Sequence, residues 1–209
     1  KAGVYKPIQT GAIEKNGFWV SPDLAYIKNF NFYIETFCTY YLKHRTAPSI
    51  AAELEKTPIC INAIQRDYSR MKEACEALII EDTGGLAVPI SETMTVGDIA
   101  KSLDVPILIV ANADFESINN TLLTINHATS NNINVAGVIV NKYPNTGNSI
   151  SSKSIPRLIE EYTDVDILGI IPYMNNFDNL KQSDLINIFI NCVDVEKIFR
   201  IKIPKLNLV

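Results

Sequence analysis

Three short groups of residues in this chain carry the types needed to bind and move charged oxygen groups. The first is Lys6-Pro7-Ile8-Gln9-Thr10-Gly11, where a cation, a hydroxyl and a glycine close an apolar stretch. A lysine at a strand end is a point charge suited to a phosphate or carboxylate, and the Thr10 hydroxyl can donate to an oxyanion. The alternative for Lys6 is a solvated side chain ahead of a proline turn. The second group is Ser21-Pro22-Asp23. Asp23 reads either as a charge near the positive end of a helix or as an oxygen ligand for a hard cation such as magnesium, and nothing local decides between them. The third is Glu81-Asp82-Thr83-Gly84-Gly85, where the apolar run Ala77 to Ile80 ends in two carboxylates and two glycines. The glycines open backbone conformations closed to other residues and let a ligand approach the main chain. An ordinary strand-to-loop turn has the same composition.

These groups need elements to hold them. Ala2 to Ile8 reads as a strand that brings Lys6 and Thr10 to one edge. Ser21 suits an N-cap and Pro22 the first turn of a short helix, which places Asp23 at its start. Asn31 to Lys43 is rich in aromatic and β-branched residues and reads as irregular strand or packed loop. Arg45 to Ser49 reads as a turn into the helical stretch Ile50 to Glu55. Ile61, Ile64, Tyr68, Met71 and Cys75 fall at three- and four-residue steps, one apolar helix stripe. The run before Glu81 reads as a buried central parallel strand, with Glu81 and Asp82 at the carboxyl edge where ligands of such sheets gather. Helix and strand then alternate: Thr95 to Leu103, the apolar strand Val105 to Val110, Ser117 to Asn131, Val135 to Val140 ending in Asn141, Ser149 to Tyr162, and Asp166 to Ile171. Leu180 to Phe199 reads as one last amphipathic helix. The alternation predicts an α/β fold, a mostly parallel sheet flanked by helices, with residues 1–209 as a single domain.

The 209 residues, 47% hydrophobic and 20% charged, suffice for a full core. A net charge of -4 and a pI near 5.2 supply no basic field, so no nucleic-acid partner is expected. No apolar run approaches the roughly 20 residues of a membrane span, and no signal peptide is visible, so a cytoplasmic protein with no membrane partner is expected. The four cysteines, Cys38, Cys60, Cys75 and Cys192, show no metal-binding spacing and are expected to be reduced and mostly buried.

Taken in order, Tyr5-Lys6-Pro7-Ile8-Gln9-Thr10-Gly11, Ser21-Pro22-Asp23, Glu81 with Gly84-Gly85-Leu86-Ala87-Val88-Pro89, and Val138-Ile139-Val140-Asn141 resemble the dethiobiotin synthase family. The resemblance runs from Lys1 to about Tyr173, with further support from Ile118-Asn119, Leu122-Leu123-Thr124 and Leu168-Gly169-Ile170-Ile171-Pro172-Tyr173. It implies a P-loop NTPase-like fold and an ATP-dependent closure of a ureido ring. Carbon dioxide adds to an amine of 7,8-diaminononanoate, ATP phosphorylates the carbamate, and the second amine displaces phosphate. By the resemblance Lys6 is the catalytic cation, with Thr10 and Gly84 beside the substrate. Asp23 and Glu81 are magnesium ligands, while Asn141, Pro172 and Tyr173 frame the nucleotide. Ser117 and Asn119 face the substrate carboxylate at a helix start. The family is dimeric, so a homodimer is expected.

Some positions depart from the family. Asp82-Thr83 stand where it has a small pair, Glu116 where it has a glycine, and Ala47-Pro48-Ser49 where it has Ser-Pro-His. The chain opens at Lys1 directly before a strand, and the family's first strand and glycine-rich phosphate loop are expected upstream of it. Without that loop no measurable ATP binding is expected. A non-catalytic binding or dimerisation module on the same fold is the second reading of the sequence. A synthetase domain of the amidotransferases that share the fold is the third.

Overall fold

The computed structural model describes residues 1–145, 150–175 and 177–202. The chain divides into two compact units, Lys1–Val105 and Pro106–Val209. The first unit holds β1 (Ala2–Thr10), β2 (Ile13–Lys15), β3 (Phe18–Val20), α1 (Pro22–Phe30), β4 (Glu35–Leu42), α2 (Pro48–Leu54), α3 (Ile61–Ala74), β5 (Ala77–Ile80) and α4 (Val96–Leu103). Its main sheet is parallel in the order β4-β1-β5. The strand paired on both sides is therefore β1. The sequence expectation put a fully covered central strand at β5, yet Ile79 is 53% exposed and β5 pairs only with β1 among the described residues. A four-residue apolar run carries no period that separates one covered face from two.

Alternation along β1 sets the layers. Tyr5 is fully buried in the cluster with Ile64 and Met71, and its hydroxyl donates to the Ile64 carbonyl at 3.1 Å, tying α3 to the sheet. Val4 joins Leu24 and Cys38 in the small core on the side of α1. The helical stripe read from Ile61 to Cys75 thus becomes the buried face of α3, and the expected inward residues of α4, Val96, Ile99 and Leu103, enter the same core. Two elements differ from expectation. Within the stretch Asn31 to Lys43, Glu35–Leu42 form the regular strand β4, in register with β1 from Gly3↔Glu35 to Thr10↔Leu42. β2 and β3 form an antiparallel hairpin across Asn16 and Gly17, both at positive φ (51° and 80°). Asn-Gly is the preferred pair of a tight hairpin turn, a signal present in the sequence.

The second unit holds β6 (Ile107–Asn112), α5 (Phe115–Ser130), β7 (Val135–Tyr143), α6 (Ile150–Tyr162), β8 (Ile167–Pro172), a 3-10 turn (Phe177–Asn179), α7 (Gln182–Cys192) and α8 (Val195–Phe199). Its sheet is parallel, β6-β7-β8, with Val138 and Val140 fully buried on the middle strand. The apolar strand expected at Val105 to Val110 is the edge strand β6, and Val110 is 62% exposed. The start expected for α6 at Ser149 lies outside the described residues. The single helix expected over Leu180 to Phe199 is broken into α7 and α8. Val193 bridges Gly169, and the Asp194 N–H donates to the Leu168 carbonyl at 2.7 Å, so this backbone is drawn onto the edge of β8. The Asp194 side chain then caps α8 through the Lys197 N–H. No helix among the described residues is long and apolar enough to cross a membrane.

All four cysteines are free thiols, but only Cys38 is buried; Cys60 is exposed, and Cys75 and Cys192 are intermediate. The expectation of mostly buried thiols fails because Cys60 stands just outside the buried face of α3, as its N-cap residue. Burial pushes the Cys38 thiol up to about 12. At pH 8 only about one Cys38 in ten thousand is then thiolate, the reactive form. Iodoacetamide at that pH, followed by mass spectrometry of the native protein, should modify Cys60 first and leave Cys38 intact until the protein unfolds.

Candidate active site

Lys6 sits in the interior of β1, and the strands on both sides decide what surrounds it. Only 3% of Lys6 is exposed. A buried ammonium needs paired charge and hydrogen bonds, and two acidic side chains supply them. Its Nζ lies 2.8 Å from Asp23 Oδ2 and 3.0 Å from Glu81 Oε1, and it donates to the Asp82 main-chain carbonyl at 3.3 Å. Burial alone would lower the Lys6 pKa, but the hydrogen bonds and charges of Glu81 and Asp23 outweigh it and hold the ammonium above its ordinary value.

Each partner is delivered by local rules. Ser21 is the N-cap of α1, its hydroxyl accepting from the Leu24 N–H at 3.2 Å, and Pro22 occupies the first turn. Asp23 follows at once and projects from that first turn. The Ser21 hydroxyl also donates a short hydrogen bond to Gln9 Oε1, which joins the start of α1 to the end of β1. Gln9 is itself buried, and its amide nitrogen donates to the Thr10 carbonyl at 2.7 Å. Glu81 is placed by the sheet ladder, since its N–H donates to the Tyr5 carbonyl at 2.9 Å and so continues the β1–β5 pairing beside Lys6.

Beyond Glu81 the loop is pinned to β1. The Thr83 hydroxyl makes a short hydrogen bond to the Ile8 carbonyl, and Gly84 turns at φ +115°, where a Cβ would stand 3.0 Å from Val88 Cγ2. Glycine is required there by both conformation and space. Nothing lies within 4 Å of a Cβ placed on Gly85, so the main chain is open on that side. Desolvation pushes the Asp82 carboxyl above the ordinary aspartate value; Lys6 opposes this and Glu81 adds to it. Lys6, Asp23 and Glu81 thus form one cluster, with Thr10 at the end of the same strand and Gly84 in the loop joined to it.

The remaining expected residues belong to the second unit. Asn141 ends the buried part of β7 opposite Asn112 of β6, and its Oδ1 accepts from the Lys142 N–H at 2.8 Å. Its side-chain NH2 is left as a donor. Pro172 closes β8 opposite Tyr143, and the Tyr173 N–H donates to the Tyr143 carbonyl at 2.7 Å. Asn141, Pro172 and Tyr173 therefore meet at the carboxyl ends of two neighbouring strands. α5 starts at Phe115 rather than at the expected Ser117, so Ser117 and Asn119 lie within its first turns. Asp114 caps it, accepting from the Ser117 N–H at 2.8 Å and from the Ser117 hydroxyl at 2.7 Å. A carboxylate of the chain thus already holds the donors that an incoming anion would use. Sequence reasoning missed Asp114, although Asp at three residues before Ser117 and ahead of an apolar-periodic run is a capping signal.

Parallel strands flanked by helices, with a buried lysine held by two carboxylates beside the end of β5, define an α/β protein with a charged cluster on its sheet. The model of the AAA domain family matches residues 1–181. The ATP-dependent dethiobiotin synthetase BioD of Anoxybacillus flavithermus is 34% identical over 181 residues, 86% of this chain and 81% of that protein. The enzyme of the same name from Methanococcus vannielii is 32% identical over 178 residues, 84% of this chain and 81% of its own. Among solved structures, the MinC:MinD cell division complex of Aquifex aeolicus aligns with 88% of this chain and 74% of that chain, at 18% identity and a TM-score of 0.49. The chain belongs to the family of the ATP-dependent dethiobiotin synthetases.

Replacing Ser21 by alanine removes the cap of α1 and leaves the buried Gln9 carbonyl oxygen without its donor. The expected cost is about 1–3 kcal/mol of unfolding free energy. Urea denaturation of the S21A variant beside the parent protein measures it.

Proposed function

We propose that this chain closes the ureido ring of dethiobiotin from 7,8-diaminononanoate, carbon dioxide and ATP, as a magnesium-dependent cyclo-ligase of biotin synthesis. The observation that supports this reading best is the Lys6 ammonium held between Asp23 and Glu81 beside the carboxyl end of β5. In this reading Lys6 neutralises the carbamate and the phosphoryl group moving onto it, where fixed positive charge stabilises spread negative charge. Thr10 donates to a carbamate oxygen, and the turn at Gly84 leads into the open main chain at Gly85, against which the substrate can lie. Oxygen-only donors such as Asp23 and Glu81 suit magnesium, which takes one or two carboxylates and completes its shell with phosphate and water oxygens. When bound, the metal supplies positive charge to the phosphate oxygens.

Asn141 is assigned to the purine edge through its free NH2, with Pro172 and Tyr173 as the walls beside it. Ser117 and Asn119 are assigned to the carboxylate end of the substrate, with Asp114 yielding the Ser117 donors as substrate arrives. Residues 1–209 are read as a single domain of this family. A cytoplasmic homodimer without nucleic-acid or membrane partners completes the reading.

In the full-length protein, Lys6→Ala should lower ADP formation dependent on diaminononanoate and bicarbonate by at least about a hundredfold, the scale of losing one fixed electrostatic group. Asp23→Asn and Glu81→Gln should each raise the magnesium concentration needed for half-maximal rate. Near-normal turnover in the lysine variant, or unchanged magnesium titrations in both others, would overturn these assignments.

A further inference from the structure

An ammonium group has three N–H donors, and at Lys6 all three have acceptors: Asp23 Oδ2 at 2.8 Å, Glu81 Oε1 at 3.0 Å and the Asp82 carbonyl at 3.3 Å. The lysine that is assigned to the reacting oxygens is therefore fully engaged elsewhere. Its acceptors include both carboxylates assigned to the metal. Those carboxylates are open on their other sides, with 46% of the Asp23 side chain and 39% of the Glu81 side chain exposed, against 4% for Lys6. A cation arriving from solvent meets the carboxylates before it meets the lysine. A divalent ion bound to their oxygens at roughly 2.0–2.1 Å would stand close to the ammonium and repel it, and it would draw on the same lone pairs. The two cations compete for one pair of acids.

We propose that Lys6 is the resident cation of the divalent-metal site: it holds Asp23 and Glu81 together in the metal-free protein and is freed toward the reacting oxygens only when a divalent ion takes over the two carboxylates. This rests on the assignment of Asp23 and Glu81 to the metal and adds an order of events to it. The catalytic ammonium becomes available when the metal site is filled, and an unfilled site keeps it withdrawn. The same contacts explain why two acids, one from the first turn of α1 and one from the end of β5, can converge on one point, since Lys6 cancels part of their repulsion. The loop behind them has little freedom to follow the lysine, because Thr83 is bonded to the Ile8 carbonyl. The ammonium is then the part that moves.

The test is divalent-ion binding without nucleotide, using manganese as the probe and the electron paramagnetic resonance of the free ion as the readout. The parent protein should bind manganese weakly. Lys6→Met removes the charge at similar length and should tighten binding at least about tenfold, because two unpaired carboxylates are left at the edge. Adding Asp23→Asn to that variant should return the affinity to the parent level. Equal affinity in Lys6→Met and the parent would overturn the proposal, and if turnover is also lost, the catalytic assignment of Lys6 survives it. Retained turnover in Lys6→Met would overturn the catalytic assignment and this proposal with it. A second measurement needs no variant: brief acetic anhydride labelling of the native protein, read by mass spectrometry. Saturating manganese should raise acetylation of Lys6 relative to the exposed Lys101, and an unchanged ratio would overturn the exchange.

Discussion

A buried ammonium without partners is too costly to survive in a folded protein, and Lys6 is almost wholly buried. Meeting that requirement shapes much of the first unit. β1 must be paired on both sides to enclose the lysine. β5 must end one residue before Glu81 so that the ladder to Tyr5 turns that carboxylate toward Nζ, and α1 must start at Pro22 so that Asp23 faces the same point. If any of these fails, a charge is left buried and uncompensated.

The devices that satisfy the requirement are local and inexpensive. One hydroxyl, that of Ser21, caps α1 and at the same time reaches Gln9 on β1, so the helix start and the strand end are fixed together. A second hydroxyl, that of Thr83, fixes the loop after Glu81 to β1. Tyr5, next to Lys6 in sequence, points to the opposite face and anchors α3, so the neighbouring positions separate core from chemistry through the two-residue period of a strand. Thr83 also gives a reason for one departure from the family pattern: its side chain holds the loop to β1.

The second unit solves a different problem with similar means. Its buried middle strand, β7, carries Asn141 to the strand edge, and β8 brings Pro172 and Tyr173 beside it. Two of its helix starts are capped by aspartates, Asp114 for α5 and Asp194 for α8. At α5 the cap occupies the Ser117 donors that the family resemblance assigns to a substrate carboxylate. The capping charge and Glu116 make that helix start acidic, so binding there has to displace a carboxylate rather than fill an open position.

Much of this was legible in the residues alone. Thr10, Asp23, Glu81 and Gly84 could be picked out because strand ends, caps and glycine turns are written in short local patterns, Lys6 because a lone cation interrupts an apolar strand, and helices such as α3 and α4 announce their buried faces through spacing. The hairpin at Asn16-Gly17 and the cap at Asp114 were also written there, in signals that were passed over. Other features had no local signature. That Lys6 is gripped by Asp23 and Glu81, 17 and 75 positions away by their residue numbers, follows from the order of three strands, which no stretch of sequence encodes by itself. The break between α7 and α8 depends on the edge of β8 offering Leu168 and Gly169 to the passing chain. Sequence therefore determined which groups reach the strand edges, since backbone propensity and side-chain period act over a few residues. Only the tertiary structure decided which of those groups meet, because pairing between distant strands is set by the packing of the whole unit.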